Sequence, residues 1–423
     1  MPSHSSLSLR EGAREREAIA RGRGTALSPS PSTSPLQAMS RPLPQGEGEN
    51  VAQLAVTRLR LTNFRSYASG DLAVAAAPVV LAGPNGAGKT NLLDAISLLS
   101  PGRGLRGARL SDHVRKEPAS GDALWAVAAT VARGGTEHDI GTGLMLGPGG
   151  GERRQVRLNG ADAKSSADLG DIVQMIWLTP AMDRLFIEGS SGRRRFLDRL
   201  VLGFDAAHAR AATRYETAMR ERARLLKFGP RDPAWLDGLE NEMAEAGSAI
   251  AAARAVTVEH LSRALAERGS AGAFPAASLA LSDDIHLLAP EGLRQALAGA
   301  RLRDAESGRT SFGPHLTDLA VRHTAKRAEA RDCSTGEQKA LLISIILADA
   351  RELSRARDGV APLLLLDEIA AHLDAVRRAA LFEEIHALGA QAWMTGTDLS
   401  LFEAARAQIF LVDNGHFQQQ GGA

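Results

Sequence analysis

An α/β domain built on a phosphate-binding loop, with an antiparallel β subdomain and an inserted helical domain, is the fold class this sequence predicts. Three stretches carry the expectation. Gly83-Pro84-Asn85-Gly86-Ala87-Gly88-Lys89-Thr90 follows a short apolar run and opens a helical pattern. LLLLDE at 363–368 reads as a strand apolar on both faces that ends in two carboxylates. Between them, residues from about 181 to 300 show helical spacing: Phe196, Leu197, Leu200, Val201 and Phe204 share one face, as do Tyr215, Met219 and Leu226.

In chain order, residues 1–52 combine charged and Ser/Pro-rich runs with no apolar stretch, and read as a disordered tail or a mis-assigned start. LAVTRLRLTN at 54–63 alternates like a strand, and PVVLAG at 78–83 is a short buried strand leading into the glycine-rich turn. LWAVAATVA, IGTGLML and RQVRLNG, with the Asn159-Gly160 turn after them, predict a small antiparallel sheet, and IVQMIWL predicts a further strand. QAWMT at 391–395 and a hairpin IFLVDNGHF complete the second α/β stretch. The expected domains are therefore a head from 53–180 and 306–423, interrupted by a helical arm at 181–305.

Bulk properties narrow the function classes. The 423 residues, 44% hydrophobic, suffice for a sizeable core. A net charge of +1 means that any nucleic-acid affinity must come from a local patch. One cysteine, Cys333, excludes an internal disulfide and fits a reducing cytosol, so a cytoplasmic location is expected. The longest apolar runs fall well short of the roughly 20 residues of a membrane span. No second histidine or cysteine stands at ligand spacing from His315 or Cys333, so no metal beyond nucleotide Mg²⁺ is expected.

The phosphate loop satisfies GxxxxGK[ST] in the strand-to-helix context that the motif needs. Its glycines let successive N–H groups converge on a phosphate, Lys89 reaches the β and γ oxygens, and the Thr90 hydroxyl is a Mg²⁺ ligand. Residues Gly83 to Asn91 form the expected ATP cradle. Lysine is 6 of the 50 basic residues, and position 89 keeps it, where a compact point charge suits phosphate. Asp367 is expected to hold Mg²⁺ through water and Glu368 to act as general base on the attacking water.

CSTGEQKALL at 333–342 is a second anion-binding helix start, and one nucleotide already has its loop. Ser334 and Gly336 are therefore expected to meet the γ-phosphate held by another copy, which makes ATP the glue of a two-fold homodimer.

LTNFRSY, GPNGAGKTN, STGEQKALL, LLLLDE with AHLDAVRR after it, and TGTD together resemble the ABC-type ATPase heads of chromosome-maintenance and double-strand-break-repair proteins. Within that group LTPAMDRLFIEGSSGRRRFLDRL and TSFGPHLTDL resemble the RecF family of bacterial recombination mediators, over residues 54–415. The resemblance implies an ATP-dependent clamp that dimerises on double-stranded DNA near gaps or single/double-strand junctions. With RecR and RecO it would help load the recombinase RecA at gaps and stalled forks. It also implies that Asp374 crosses the dimer interface, and that Arg106 and Arg65 lie beside the nucleotide. Gln174 is a candidate for the Mg²⁺-side glutamine. Thr335 and Glu337 depart from the usual signature, and Thr395-Gly396-Thr397-Asp398 replaces a switch histidine, so slow hydrolysis is expected.

Between Arg193 and Arg231 eleven basic residues stand against four acidic ones, so DNA is expected to meet the helical arm; pairing with Asp198, Glu216 or Glu221 is the alternative. Few aromatics, 4% of the chain, disfavour single-strand stacking as the main mode. A transporter ATPase fits less well, because the signature follows Lys89 by 245 residues. A scaffold head with a long coiled coil, or a nuclease fusion, would need a longer chain. A module that holds ATP without cleaving it is the non-enzymatic alternative.

Overall fold

The computed structural model describes residues 53–420 apart from 117–123, 148–149, 230–231 and 270–271. The expected tail at 1–52 lies outside the described residues. Along the chain run β1 (Leu54–Phe64), β2 (Tyr67–Ala73), β3 (Val79–Ala82), α1 (Lys89–Ser97), β4 (Ala126–Arg133), β5 (Thr136–Leu146), β6 (Glu152–Leu158), β7 (Ala161–Asp162) and β8 (Met175–Leu178). Next come α2 (Ser190–Phe204), α3 (His208–Phe228), α4 (Pro233–Arg268), β9 (Ala277–Leu281), α5 (Pro290–Gly299), α6 (Arg301–Ser307), β10 (Leu319–His323) and β11 (Ala328–Glu329). The last stretch holds α7 (Thr335–Ala356), β12 (Leu363–Leu366), α8 (Ala375–Leu388), β13 (Ala392–Gly396), β14 (Gln408–Asp413) and β15 (His416–Gln419).

The central sheet has the order β15-β14-β3-β13-β12-β8, parallel except for β15, which returns from β14 as a hairpin. Its inner strands are apolar on both faces because both faces are covered. Val80, Leu364, Leu366 and Met394 face one core, with α7 and α8. Val79, Leu81, Leu363, Leu365 and Trp393 face the other, with α1 and the antiparallel sheet. That second sheet, β2-β1-β4-β5-β6-β7, contains the expected strands together with β1 and β2. The hairpin turns Asn159-Gly160 and Asn414-Gly415 hold both central residues at positive φ, the combination a two-residue turn needs to match strand twist.

Two expectations are corrected, and one strand is new. The strand in IVQMIWL starts only at Met175, because a short 3₁₀ turn at Ser166–Asp171 precedes it. The helical stretch is broken by β9, which pairs antiparallel with β10 in a small third sheet, β11-β10-β9. β2 was not anticipated; it folds back on β1 from Phe64 and Tyr67.

Helices α3 and α4 pack side by side and are locked to α6 by a buried charge cluster. Arg222 donates to Glu240 at 2.9 Å, to Asp304 at 2.7 Å and to the Leu297 carbonyl at 2.8 Å, and all three side chains are out of solvent. Among the described residues no helix is long and apolar enough to cross a membrane.

Candidate functional site

The phosphate loop leaves β3 between its two parallel neighbours, β13 and β14, at the carboxyl ends of the strands, where open α/β sheets bind ligands. Close approach dictates its glycines. A Cβ on Gly83, at φ +154°, would lie 2.1 Å from the Val412 carbonyl oxygen, and one on Gly88, at φ +111°, would lie 2.8 Å from Tyr67 Oη. Tyr67 also donates to the Gly88 carbonyl at 3.1 Å, so β2 supports the loop from below. Gly88 then caps α1, whose first residues are Lys89 and Thr90.

Lys89 Nζ donates to the carbonyls of Gly83 at 2.7 Å and Pro84 at 2.9 Å, which folds the ammonium over its own loop. Burial pulls its pKa down, against the opposing pull of Glu368 and then Asp367. Thr90 Oγ1 donates toward both Asp367 oxygens, at 2.9 and 3.1 Å. Two motifs 277 positions apart thus meet in one hydrogen bond. Asn91 donates to Ser66 Oγ at 2.9 Å, on the turn between β1 and β2.

Asp367 is positioned by the sheet: its N–H donates to the Leu178 carbonyl at 2.8 Å, and its carboxylate accepts the Thr395 hydroxyl at 2.7 Å. Glu368 stands at φ +52°, a left-handed conformation unfavourable by about 1 kcal/mol for a residue with a Cβ. Its N–H donates to Thr395 Oγ1 at 2.8 Å, which holds the strained turn. Thr395 is fully buried near the end of β13; the sequence marked it only within the TGTD segment that stands in place of a switch histidine, and its bonds to Asp367 and Glu368 were not anticipated.

A hydroxyl and a carboxylate within hydrogen-bonding distance are hard oxygen donors of the kind Mg²⁺ takes. Lys89 uses two of its three protons on loop carbonyls that a phosphate would outcompete. The residues present fit a magnesium nucleotide.

Ser334 caps α7. Its N–H and hydroxyl both donate to Glu337, at 3.1 and 3.0 Å, and Lys326 pairs with the same carboxylate. The Lys326 contact and the Ser334 N–H pull the Glu337 carboxyl down to about 2. Ser334, Thr335 and Gly336 are exposed, and a Cβ on Gly336 would meet nothing within 4 Å. Helix α7 packs on β8, three strand positions from β3, so about 14 Å of sheet separates its row from the loop's. The short link from α7 to the start of β12 makes the helix antiparallel to that strand, which turns its N-terminus toward the same end of the sheet as the loop.

The remaining candidates divide. Asp374 caps α8 by accepting the Arg377 N–H at 2.9 Å and is exposed. Arg106 is exposed on the loop after α1. Arg65, at φ +50°, ties its guanidinium to buried Asp94 of α1 at 2.5 Å, which braces the loop helix from behind. Gln174 is not brought to the site. It precedes β8, whose Met175 pairs with Leu363 at the far end of the sheet, and its amide is engaged by the Gly170 carbonyl and Arg133. Thr179 is the residue that follows β8 at the Asp367 end.

Much of the expected basic patch is consumed by pairing, though not with Glu216 or Glu221. Arg193 pairs with Asp318, Arg214 with Glu242, and Arg222 with Glu240 and Asp304. Arg199 lies half-buried over the Trp177 ring, 3.5 Å from its centroid, and Asp198 is taken by Arg254 and His208. His315 has a structural place: its Nε2–H donates to the Thr310 carbonyl at 2.9 Å, so Nδ1 accepts the Tyr215 hydroxyl at 2.8 Å.

Residues 55–418 match the family model described as RecF/RecN/SMC N terminal domain. A protein of Mesorhizobium japonicum named DNA replication and repair protein RecF is 50% identical over 374 residues, which cover 86% of this chain and 97% of that one. The protein of the same name from Agrobacterium fabrum is 50% identical over 375 residues, 86% of this chain and 98% of its own. A solved structure described as the recombination mediator protein RecF-ATPrS in the RecFOR pathway shares the fold, with a TM-score of 0.76 at 22% identity over 88% of this chain and 99% of that one. Identity of one half across nearly the whole length of these relatives places the chain in the RecF family of ABC-type ATPase heads.

Proposed function

We propose that this chain is an ATP-dependent DNA-binding clamp that dimerises on ATP and acts in recombinational repair of gaps and stalled replication forks, helping load RecA together with RecR and RecO. One observation carries the reading: a complete phosphate loop and an exposed signature helix start open toward the same end of the sheet, in rows too far apart to serve one nucleotide. The names of the relatives support the repair setting. In this reading residues 53–180 and 306–423 form the head and 181–305 an inserted arm.

Lys89 and the loop N–H groups bind the triphosphate. Thr90 and Asp367 would hold Mg²⁺, which neutralises charge on the phosphate oxygens. Thr395 fixes Asp367 and the Glu368 backbone, and the Glu368 carboxylate takes a proton from the attacking water. Ser334 and Gly336 of the second copy close the socket, with Asp374 near the seam. A strained general base and a signature lacking its usual residues support slow turnover.

Ser334→Arg tests the composite site. The variant is expected to bind ATP as a monomer with unchanged affinity and to lose ATP-dependent dimerisation in sedimentation velocity, whereas Lys89→Ala loses both. Loss of monomer ATP binding in the Ser334 variant would refute the assignment in trans.

A further inference from the structure

Helix α3 carries an exposed stripe at helical spacing: Arg210, Thr213, Thr217, Arg220, Arg224 and Lys227, each three or four residues from the next. The stripe is about 25 Å long, comparable with the ~34 Å rise of one duplex turn. Its four cations make no ion pair among the described residues, unlike Arg214 and Arg222 on the same helix, which Glu242 and Glu240 neutralise. Arg220 reaches only its own helix, at the Glu216 carbonyl and Thr217. Lysine and arginine here are free for phosphate.

The stripe ends on aromatic surface. Phe228 closes α3 and is 78% exposed, with the Lys227 ammonium 5.0 Å from its ring centroid. Trp235 lies in the first turn of α4, seven residues after Phe228, and is 54% exposed. Large apolar side chains left in water where α3 ends and α4 begins have no role in the arm's own core, which Leu225, Leu226 and Leu236 fill. Flat rings at the end of a row of cations match a nucleic-acid strand that passes from paired to unpaired: the backbone follows the charges, and the first unstacked base meets an aromatic face.

We infer that the α3 stripe tracks the phosphate backbone of a DNA duplex and that Phe228 and Trp235 stack on the first unpaired base, so that the arm tip recognises the junction between double and single strand. This rests on the reading of the chain as a DNA-binding ATPase and adds the residues that choose the DNA structure.

The test is fluorescence anisotropy of the full chain with ATP on a gapped duplex and on an intact duplex, over a salt series. Phe228→Ala/Trp235→Ala, both at exposed positions, is expected to bind intact duplex as the parent does and to lose about tenfold on the gapped duplex. Arg220→Gln/Arg224→Gln/Lys227→Gln is expected to weaken both substrates and to lower the salt slope by about three. In the parent, Trp235 emission is quenched by gapped duplex and not by intact duplex; Trp235→Phe removes that signal. Unchanged gapped-duplex binding by the aromatic variant overturns the tip assignment, and equal losses on both substrates do so too. A parent that binds neither DNA would instead overturn the underlying DNA-binding reading, and loss of ATP-driven dimerisation by the aromatic variant would reassign the tip to a protein contact.

Discussion

Thr395 donates its hydroxyl proton to Asp367 at 2.7 Å while accepting the backbone N–H of Glu368 at 2.8 Å. One buried side chain on β13 therefore fixes the carboxylate that faces Thr90 and the left-handed turn that carries the proposed base. Thr395→Val keeps the shape and removes both bonds, leaving the half-buried Glu368 N–H unpaired. The expected loss is about 1–3 kcal/mol of stability in urea titration. ATP turnover should fall further than stability does, and Thr395→Ser should restore most of both.

Glu368→Gln separates a slow ATPase from a module that merely holds ATP. The amide cannot accept the water proton, so an ATPase is expected to accumulate as an ATP-bound dimer, seen as a persistent fast-sedimenting species after removal of free nucleotide. Identical decay in the parent and the variant would favour the inert module.

Arg222 is enclosed by Glu240, Asp304 and the Leu297 carbonyl. Arg222→Met leaves buried Asp304 without its cation and Glu240 with Arg301 alone, and is expected to destabilise the protein by about 3 kcal/mol in chemical denaturation. Arg222→Met/Asp304→Asn, which removes the unpaired buried charge, should recover part of that loss.

The Glu337 carboxyl that caps the signature helix is held down to about 2 by Lys326 and the Ser334 N–H. Because the folded value lies below the unfolded one, this contact stabilises fully above the ordinary carboxylate range and is lost as pH falls from about 4.5 toward 2. Lys326→Ala removes the leading cause, so the Glu337 carboxyl should titrate at higher pH in carbon-detected NMR. An unchanged midpoint would show that the Ser334 bonds alone hold it.

The phosphate loop, the LLLLDE strand and the signature cap were legible because each is a local pattern whose chemistry needs residues adjacent in the chain. Gln174 misled because an apolar run hides where pairing begins, and because a parallel strand offers its carboxyl end, here Thr179, to the site. Thr395 was read only as part of the segment in place of a switch histidine, since its bracing role exists only once β13 lies beside β12. The basic patch lost members for a similar reason. Glu242, Glu240, Asp304 and Asp318 neutralise arginines from elements far along the chain, and no count within residues 193–231 contains them.

β3 is flanked only by β13 and β14: Val80 pairs with Met394 on one side and Ile409 on the other. During synthesis the loop motif therefore leaves the ribosome roughly 15–60 s before the strands that hold it, at ordinary elongation rates. A nascent chain stopped before residue 392 displays every letter of the motif and has no socket. Completion of the phosphate socket is accordingly among the last steps in the making of this polypeptide.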